Sequence, residues 1–268
     1  MPIPMNVMVD FGYAGRIFHS ISTTPVVIRA SHMDRQFISF PKSGRSWLRY
    51  ALHRLGVADQ IFFHHDGFEY NDGAKPPLDF DFNRRLHRYD NSKIIVYLHR
   101  DPRDVMISLY SQITGRFADF FNYSGSLSDF IRDPYFGAEN LQGFRSQWER
   151  LCADGRALAI SYEACHSNFV VTLTKIVAHY GFDIEEKAII TASKEAEFKN
   201  MQAVEKSGSF VEPWLRLRNG APKVRIGRVR SFTHEFTPAD IAYLNRVFFL
   251  DSNTLAMQKS CRLCEKSY

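Results

Sequence analysis

Residues 38–49 read Ile-Ser-Phe-Pro-Lys-Ser-Gly-Arg-Ser-Trp-Leu-Arg, an apolar strand that runs into a short loop with a lysine, a glycine and two hydroxyls, then into a helix. That order predicts an anion cradle. Gly44 lets the backbone turn and approach an anion closely, Ser43 and Ser46 offer hydroxyl donors, and the helix beginning near Trp47 aims its free N–H groups and positive dipole end at the loop. Lys42 adds a mobile full charge. The Walker pattern of nucleoside triphosphatases needs Gly, four residues, Gly, then Lys-Ser or Lys-Thr, and here the lysine precedes the glycine. The loop therefore reads as a holder of a phosphate-like group other than the end of ATP.

A second strand-loop-helix junction follows at Lys93-Ile-Ile-Val-Tyr-Leu-His-Arg100 and Asp101-Pro-Arg-Asp-Val-Met-Ile-Ser108. Ile94 to Leu98 is a short apolar run suited to a buried parallel strand, and Pro102 sits where the first turn of a helix tolerates proline. The planar fork of Arg100 can give two charge-assisted bonds to a phosphate. Taken alone, Arg100, Asp101, Arg103 and Asp104 could equally form a solvated surface network.

Pro41-Lys-Ser-Gly-x-Ser-Trp47 resembles the 5′-phosphosulfate loop of sulfotransferases that use 3′-phosphoadenosine 5′-phosphosulfate (PAPS). The second junction resembles the family's 3′-phosphate motif, an arginine ending a strand and a serine eight residues later, here Arg100 and Ser108. Lys223-Val-Arg225-Ile-Gly227-Arg-Val-Arg230 is similar to the Arg-x-Gly-x-x-Gly element that closes over the 3′-phosphate, with Arg230 in place of the second glycine. The lysines and arginines between Arg216 and Arg230 are also compatible with a patch for nucleic acid or anionic lipid. Ile160-Ser-Tyr162-Glu163 looks like the family's strand ending in Tyr-Glu, and Phe198-Lys-Asn-Met201 like its Phe-x-x-Met segment. The resemblance implies that Trp47, Tyr162 and Phe198 surround the adenine, while Lys42, Ser43, Gly44, Arg45, Ser46 and Trp47 hold the 5′ group. It likewise implies that Arg100, Ser108, Arg225 and Gly227 hold the 3′-phosphate.

In similar bacterial enzymes the base position reads His-Asp-Gly, which His65-Asp66-Gly67 matches. A histidine with a pKa near the working pH can take the proton from an acceptor hydroxyl. His65 is the expected base, His64 its neighbour without that role, and Asp66 a residue that could orient the loop. Lys42 is the second expected catalytic group, neutralising the bridging oxygen of the leaving bisphosphate.

The chain has 268 residues, 45% of them hydrophobic, and no repeat or low-complexity tract divides it. One domain over 33–268 is expected, with 1–32 as an N-terminal extension of unassigned order. A net charge of +5 fits an anionic donor, nucleic acid or a membrane surface, so charge does not choose among them. Cys261 and Cys264 have Cys-x-x-Cys spacing, but only two ligands cluster, so no metal site is expected. No apolar run approaches the length of a membrane span, which fits a cytoplasmic enzyme.

Strands are expected near 36–40, 93–99 and 157–161, and helices near 45–55, 102–113, 139–151, 168–180, 185–194 and 238–249, the last started by Thr237-Pro238 with Asp240. Alternating strands and helices imply an α/β fold, a P-loop-like three-layer domain with a central parallel sheet flanked by helices. The resemblance implies sulfuryl transfer from PAPS to a hydroxyl, or an amine, of a small-molecule, lipid or glycan acceptor, without metal, nucleic acid or a membrane span. An ATP-dependent P-loop kinase and a non-catalytic nucleotide-binding module are the alternatives. Phe62, Phe63, Phe68, Tyr70, Phe80, Phe82, Phe117, Phe120, Phe121 and Tyr123 lie in the segments that line the acceptor pocket in similar enzymes. Oligomeric state is not legible.

Overall fold

Successive residues of the strands point to opposite faces of one sheet, and both faces are covered. A computed structural model describes residues 34–70, 79–210, 212–225 and 227–250. The expected 1–32 extension and the Cys261–Cys264 pair lie outside the described residues. The strands are β1 (Asp34–Ser39), β2 (Phe62–His64), β3 (Lys93–His99) and β4 (Leu158–Ser161), all parallel, in the order β2-β1-β3-β4. Between β1 and β2 stands α1 (Arg45–Arg54), and α2 (Phe82–Arg88) precedes β3. Between β3 and β4 come α3 (Pro102–Ser111), the one-turn helices α4 (Ala118–Phe121) and α5 (Leu127–Phe130), and the long α6 (Ala138–Ala153). After β4 follow α7 (Tyr162–Ser167), α8 (Phe169–His179), α9 (Glu186–Glu195), α10 (Phe198–Ser207), α11 (Phe232–Glu235) and α12 (Pro238–Val247).

Alternation along the strands sorts the core into two layers. Ile38, Ile95 and Tyr97 pack with Met106 of α3 and Phe144 and Trp148 of α6 on one face. Phe37, Val96, Leu98 and Ile160 pack with Leu48 of α1, Ile176 of α8 and Ile189 of α9 on the other. This is the three-layer parallel-sheet architecture expected, with its elements ending within about two residues of the expected bounds.

Local chemistry explains the well-placed ends. Asp101 caps α3 by accepting from the Arg103 N–H at 3.0 Å, with Pro102 at the first helical position. Thr237 caps α12 in the same way, accepting from the Asp240 N–H at 3.2 Å ahead of Pro238. The helix expected over 102–113 ends at Ser111 and opens into a π-type turn, Gln112–Arg116. Such a wide turn re-aims side chains and is frequent at functional sites; here it brings Gln112 and Arg116 to the cleft described below. Tyr162, read as the end of a strand, instead begins α7, because Ser161 caps that helix through the Ala164 N–H at 3.0 Å.

The turn after β2 is fastened to the core by a buried carboxylate. Asp66 accepts from Arg85 Nε at 2.7 Å, Tyr89 Oη at 2.6 Å, Trp148 Nε1 at 3.3 Å and Arg88 Nη1 at 3.3 Å. Its side chain therefore serves α2 and α6 and holds the turn in place. Losing one partner of such a buried pair typically costs about 3–5 kcal/mol.

Candidate active site

Parallel strands put all four carboxyl ends on one edge of the sheet, and the chain leaves β1 toward β2 on one side and toward β3 on the other. Ligands bind in the crevice at such a switch point. A cleft of about 790 Å³ lies there. Its middle is formed by the loops after β1 and β3, one end by the helix after β4, and the other by the turn after β2.

In the middle, Lys42 takes the left-handed conformation with φ 71° and Gly44 follows with φ 103°. A Cβ on Gly44 would collide with the ring of Tyr162, so this position tolerates only glycine. The Ser43 N–H donates to the Phe40 carbonyl at 3.3 Å and the Trp47 N–H to the Gly44 carbonyl at 3.0 Å, which tightens the loop into the start of α1. Ser46 lines the cleft, whereas Ser43 is 2% exposed and does not. Arg100 bridges the two loops, donating from Nη1 to the Lys42 carbonyl at 3.3 Å and from Nη2 to the Arg228 carbonyl at 3.0 Å, while its guanidinium lies 4.3 Å above the Tyr162 ring. Ser108, Arg225 and Gly227 line the same part of the cleft. Asp104, fully buried, ties the C-terminal loop to α3 by accepting from the Arg230 N–H at 2.7 Å, Ser231 Oγ at 2.8 Å and the Phe232 N–H at 3.0 Å. The surface-network alternative for residues 100–104 thus applies only to Arg103 and Asp101, which pair at 2.7 Å.

The β4 end is aromatic. Trp47 stacks on Phe169 with centroids 4.4 Å apart and meets Tyr162 edge-on at 5.8 Å, and Phe198 lines the same cleft with its ring against Gly227. Trp47, Tyr162 and Phe198, separated widely in sequence, are brought to one place.

At the β2 end, His65 donates Nδ1–H to the Ser39 carbonyl at 2.6 Å, which leaves Nε2 as the lone-pair nitrogen. Arg45 Nη2 lies 2.7 Å from that nitrogen. Burial, reinforced by Arg45, holds His65 well below the usual imidazole range. His64 faces elsewhere, with Nε2 3.0 Å from Gln36 Oε1 and Nδ1 accepting from the Asp66 N–H at 3.1 Å. Of the ten aromatic residues expected near an acceptor, Phe63 and Phe117 line the cleft. Phe68 and Tyr70 are core, Phe80, Phe82, Phe121 and Tyr123 pack against it, and Phe62 and Phe120 are exposed.

Sequence reasoning passed over several cleft residues. Lys223 donates from Nζ to the Trp214 carbonyl at 2.7 Å, and Arg116 reaches Glu205 at 3.6 Å. Glu205 in turn accepts the N–H groups of Lys223 at 2.6 Å and Val224 at 2.8 Å. Burial, then Arg116, Arg225 and Arg100, pushes Lys42 down to about 7, and burial lowers Arg45 to about 10. Four buried nitrogens on the cleft wall, Arg45 Nη1, Trp47 Nε1, Arg100 Nε and Trp214 Nε1, have no hydrogen-bond partner among the described residues. Orphaned donors beside crowded cations leave this wall able to hydrogen-bond an anionic ligand. Among the described residues no three His, Cys, Asp or Glu side chains gather as a metal ligand set. Burial pushes the Cys152 and Cys165 thiols up to about 12, away from thiolate chemistry.

Comparison with known proteins places this geometry in a family. The fold resembles mouse sulfotransferase SULT7A1 complexed with PAP, with TM-score 0.63, 19% identity, and coverage of 86% of this chain and 89% of that one. It also resembles retinol dehydratase complexed with androsterone and the inactive cofactor PAP, with TM-score 0.54, 16% identity, and coverage of 81% and 79%. Human Sulfotransferase 2B1 is 27% identical over 161 residues, 58% of this chain, and the match spans 43% of that protein's length. The Sulfotransferase domain family model matches residues 83–259, which include the Arg100–Ser108 junction and begin after the Lys42 loop. That match extends over more than half of the chain, and the protein belongs to the sulfotransferase domain family.

Proposed function

We propose that this protein transfers the sulfuryl group of 3′-phosphoadenosine 5′-phosphosulfate to an acceptor hydroxyl by in-line displacement, as a cytoplasmic enzyme. The observation that carries the reading is the bridge from Arg100 to the Lys42 carbonyl at 3.3 Å. It joins the loop read as a 5′ anion site to a second cationic junction on the neighbouring strand, an arrangement that suits a nucleotide with anionic groups on both its 5′ and 3′ oxygens. The orphaned donors, the glycine cradle beneath Tyr162 and the aromatic end fit a donor with several negative charges and a flat base. PAP in the bound neighbours supports the same donor. None of the described helices is long and apolar enough to cross a membrane.

In this reading Lys42, Ser46 and the N–H groups at the start of α1 bind the 5′ end, and Arg100, Ser108, Arg225 and the Gly227 loop bind the 3′-phosphate. Trp47, Tyr162 and Phe198 orient the base. When bound, the donor supplies an electrophilic sulfur: the acceptor O–S bond forms as the sulfur–oxygen bond to the phosphate breaks, giving a sulfate ester, the bisphosphate and a proton. His65 takes that proton at Nε2, because Nδ1–H is committed to Ser39. Lys42 offsets the charge gathering on the departing oxygen, and charge placed in advance of reaction is commonly the largest catalytic contribution. The test is incubation with labelled PAPS and pooled hydroxyl compounds, read by mass spectrometry. A gain of one sulfuryl group is expected, and PAPS consumption without any sulfated product would contradict transfer.

A further inference from the structure

The lone pair that His65 needs for its role is already occupied. With Nδ1–H given to Ser39, Nε2 accepts from Arg45 Nη2 at 2.7 Å, so an acceptor hydroxyl reaches Nε2 only when Arg45 gives up that bond. The other terminal nitrogen of Arg45, Nη1, is buried and has no hydrogen-bond partner among the described residues, and a desolvated donor of a charged group is costly to leave unmatched. One helical turn further along α1, Arg49 lies between the rings of Phe63 at 5.1 Å and Trp214 at 4.7 Å, with no ion pair among the described residues. Lys223 Nζ, on the same wall, donates to the Trp214 carbonyl at 2.7 Å and lies 5.5 Å from the centre of the Trp214 ring.

Glu69 acts on Arg45, and Glu212 and Asp59 on Arg49, but among the described residues none of these carboxylates forms an ion pair with either guanidinium. Glu69 accepts the His65 N–H at 2.6 Å, Asp119 is engaged by Arg218, and Glu205 by Arg116 and two backbone N–H groups. The donor's charges are met by Lys42, Arg100 and Arg225 in the middle of the cleft. Arg45 and Arg49 therefore stand as guanidinium groups at the β2 end, interleaved with Phe63 and Trp214, whereas burial, and then the cations around it led by Lys42, hold the neighbouring Lys223 well below the usual lysine range.

We infer that the acceptor carries an anionic group on a flat or apolar body, and that Arg45 receives this group and thereby frees His65 Nε2 for the acceptor hydroxyl. This rests on the sulfotransferase reading above. The hydroxyl proton passes to Nε2 as its oxygen forms the bond to sulfur and the donor's sulfur–oxygen bond breaks. The anionic group is chemically unchanged and keeps Arg45 off the base. Neutral acceptors leave that bond in place.

Matched pairs of hydroxy acids and their methyl esters test the idea: 4-hydroxyphenylacetate, a hydroxysteroid carboxylate and 16-hydroxyhexadecanoate, each against its ester. In the full-length enzyme with PAP bound, the acids should raise the melting temperature more than the esters. With PAPS, their kcat/KM should exceed that of the esters by at least about tenfold, the scale of one charge-assisted bond. In Arg45→Ala the acid-to-ester ratio should fall to about one, and Arg45→Lys should restore part of it. Equal stabilisation and equal kcat/KM for acid and ester in the wild type would overturn the inference, as would an acid preference that survives Arg45→Ala. Stabilisation by PAP alone and turnover of any neutral alcohol report on the sulfotransferase reading separately, so that reading stands if only the acid preference fails.

Discussion

The ring of Phe198 fills the space that a Cβ on Gly227 would need, and Gly227 holds a φ of 63°. The C-terminal loop is thereby clamped against the start of α10. Gly227→Ala must displace the ring and adopt a left-handed backbone, which costs about 1 kcal/mol or more for a residue with a side chain. PAP affinity should fall by roughly tenfold while kcat at saturating PAPS changes little. Calorimetric titration with PAP checks this; unchanged affinity would separate the loop from the nucleotide.

Lys42, held near pKa 7 by burial and then by Arg116, Arg225 and Arg100, is partly neutral in the free protein at physiological pH. A bound bisphosphate favours its charged form, so binding takes up a proton at pH values above about 7. Affinity for PAP should therefore weaken as pH rises through 7, by up to tenfold per unit until the bound-state pKa is reached. Calorimetry at pH 8 in buffers of different ionisation heat should show proton uptake, lost in Lys42→Met. No uptake in the wild type would remove Lys42 from the anion site.

The cleft residues legible in sequence are those encoded in local strand-loop-helix units, together with Tyr162, Phe198, Arg225 and Gly227, which only the family resemblance pointed to. Lys42 to Trp47, and Arg100 with Ser108, each sit on one strand-loop-helix unit, where spacing alone sets which side chains meet. Asp104 was not read as an anchor because its partners, Arg230 to Phe232, lie far along the chain and meet it only through the fold. Lys223 and Arg116 were missed for the same reason, since the carboxylate that organises both belongs to Glu205 on α10. β2 has three residues, too few to show a strand period. The Arg45 side chain lines the cleft with the anion loop and bonds His65, a contact that helix geometry determines and spacing does not.

His65 is driven down by burial and by Arg45, so its ring is neutral at neutral pH. A base with a depressed pKa is active above that value and is lost as pH falls through it. The acid limb of kcat/KM should therefore lie well below pH 6.5. His65→Ala should lower kcat by about a hundredfold or more with PAP affinity nearly unchanged, and His64→Ala should keep kcat within a few-fold. Full turnover in His65→Ala would remove this histidine from the chemistry.

Asp66 tests how the fold holds the site. Asp66→Ala leaves Arg85 buried without its carboxylate and strips partners from Tyr89 and Trp148. A loss of about 3–5 kcal/mol, seen as a fall in melting temperature of roughly 10 °C, is expected by thermal denaturation. A fall of only a degree or two would show that the hub is dispensable.

The central claim is that the cleft reads phosphate groups at both the 5′ and 3′ positions, joined through Arg100. Isothermal titration of the full chain with adenosine 3′,5′-bisphosphate and with adenosine 5′-monophosphate measures this directly. The bisphosphate should bind at least about a hundredfold tighter, the scale of two charge-assisted bonds, and Arg100→Ala should remove most of that difference. Equal affinity of the wild type for the two nucleotides, or a preference untouched in Arg100→Ala, would contradict it.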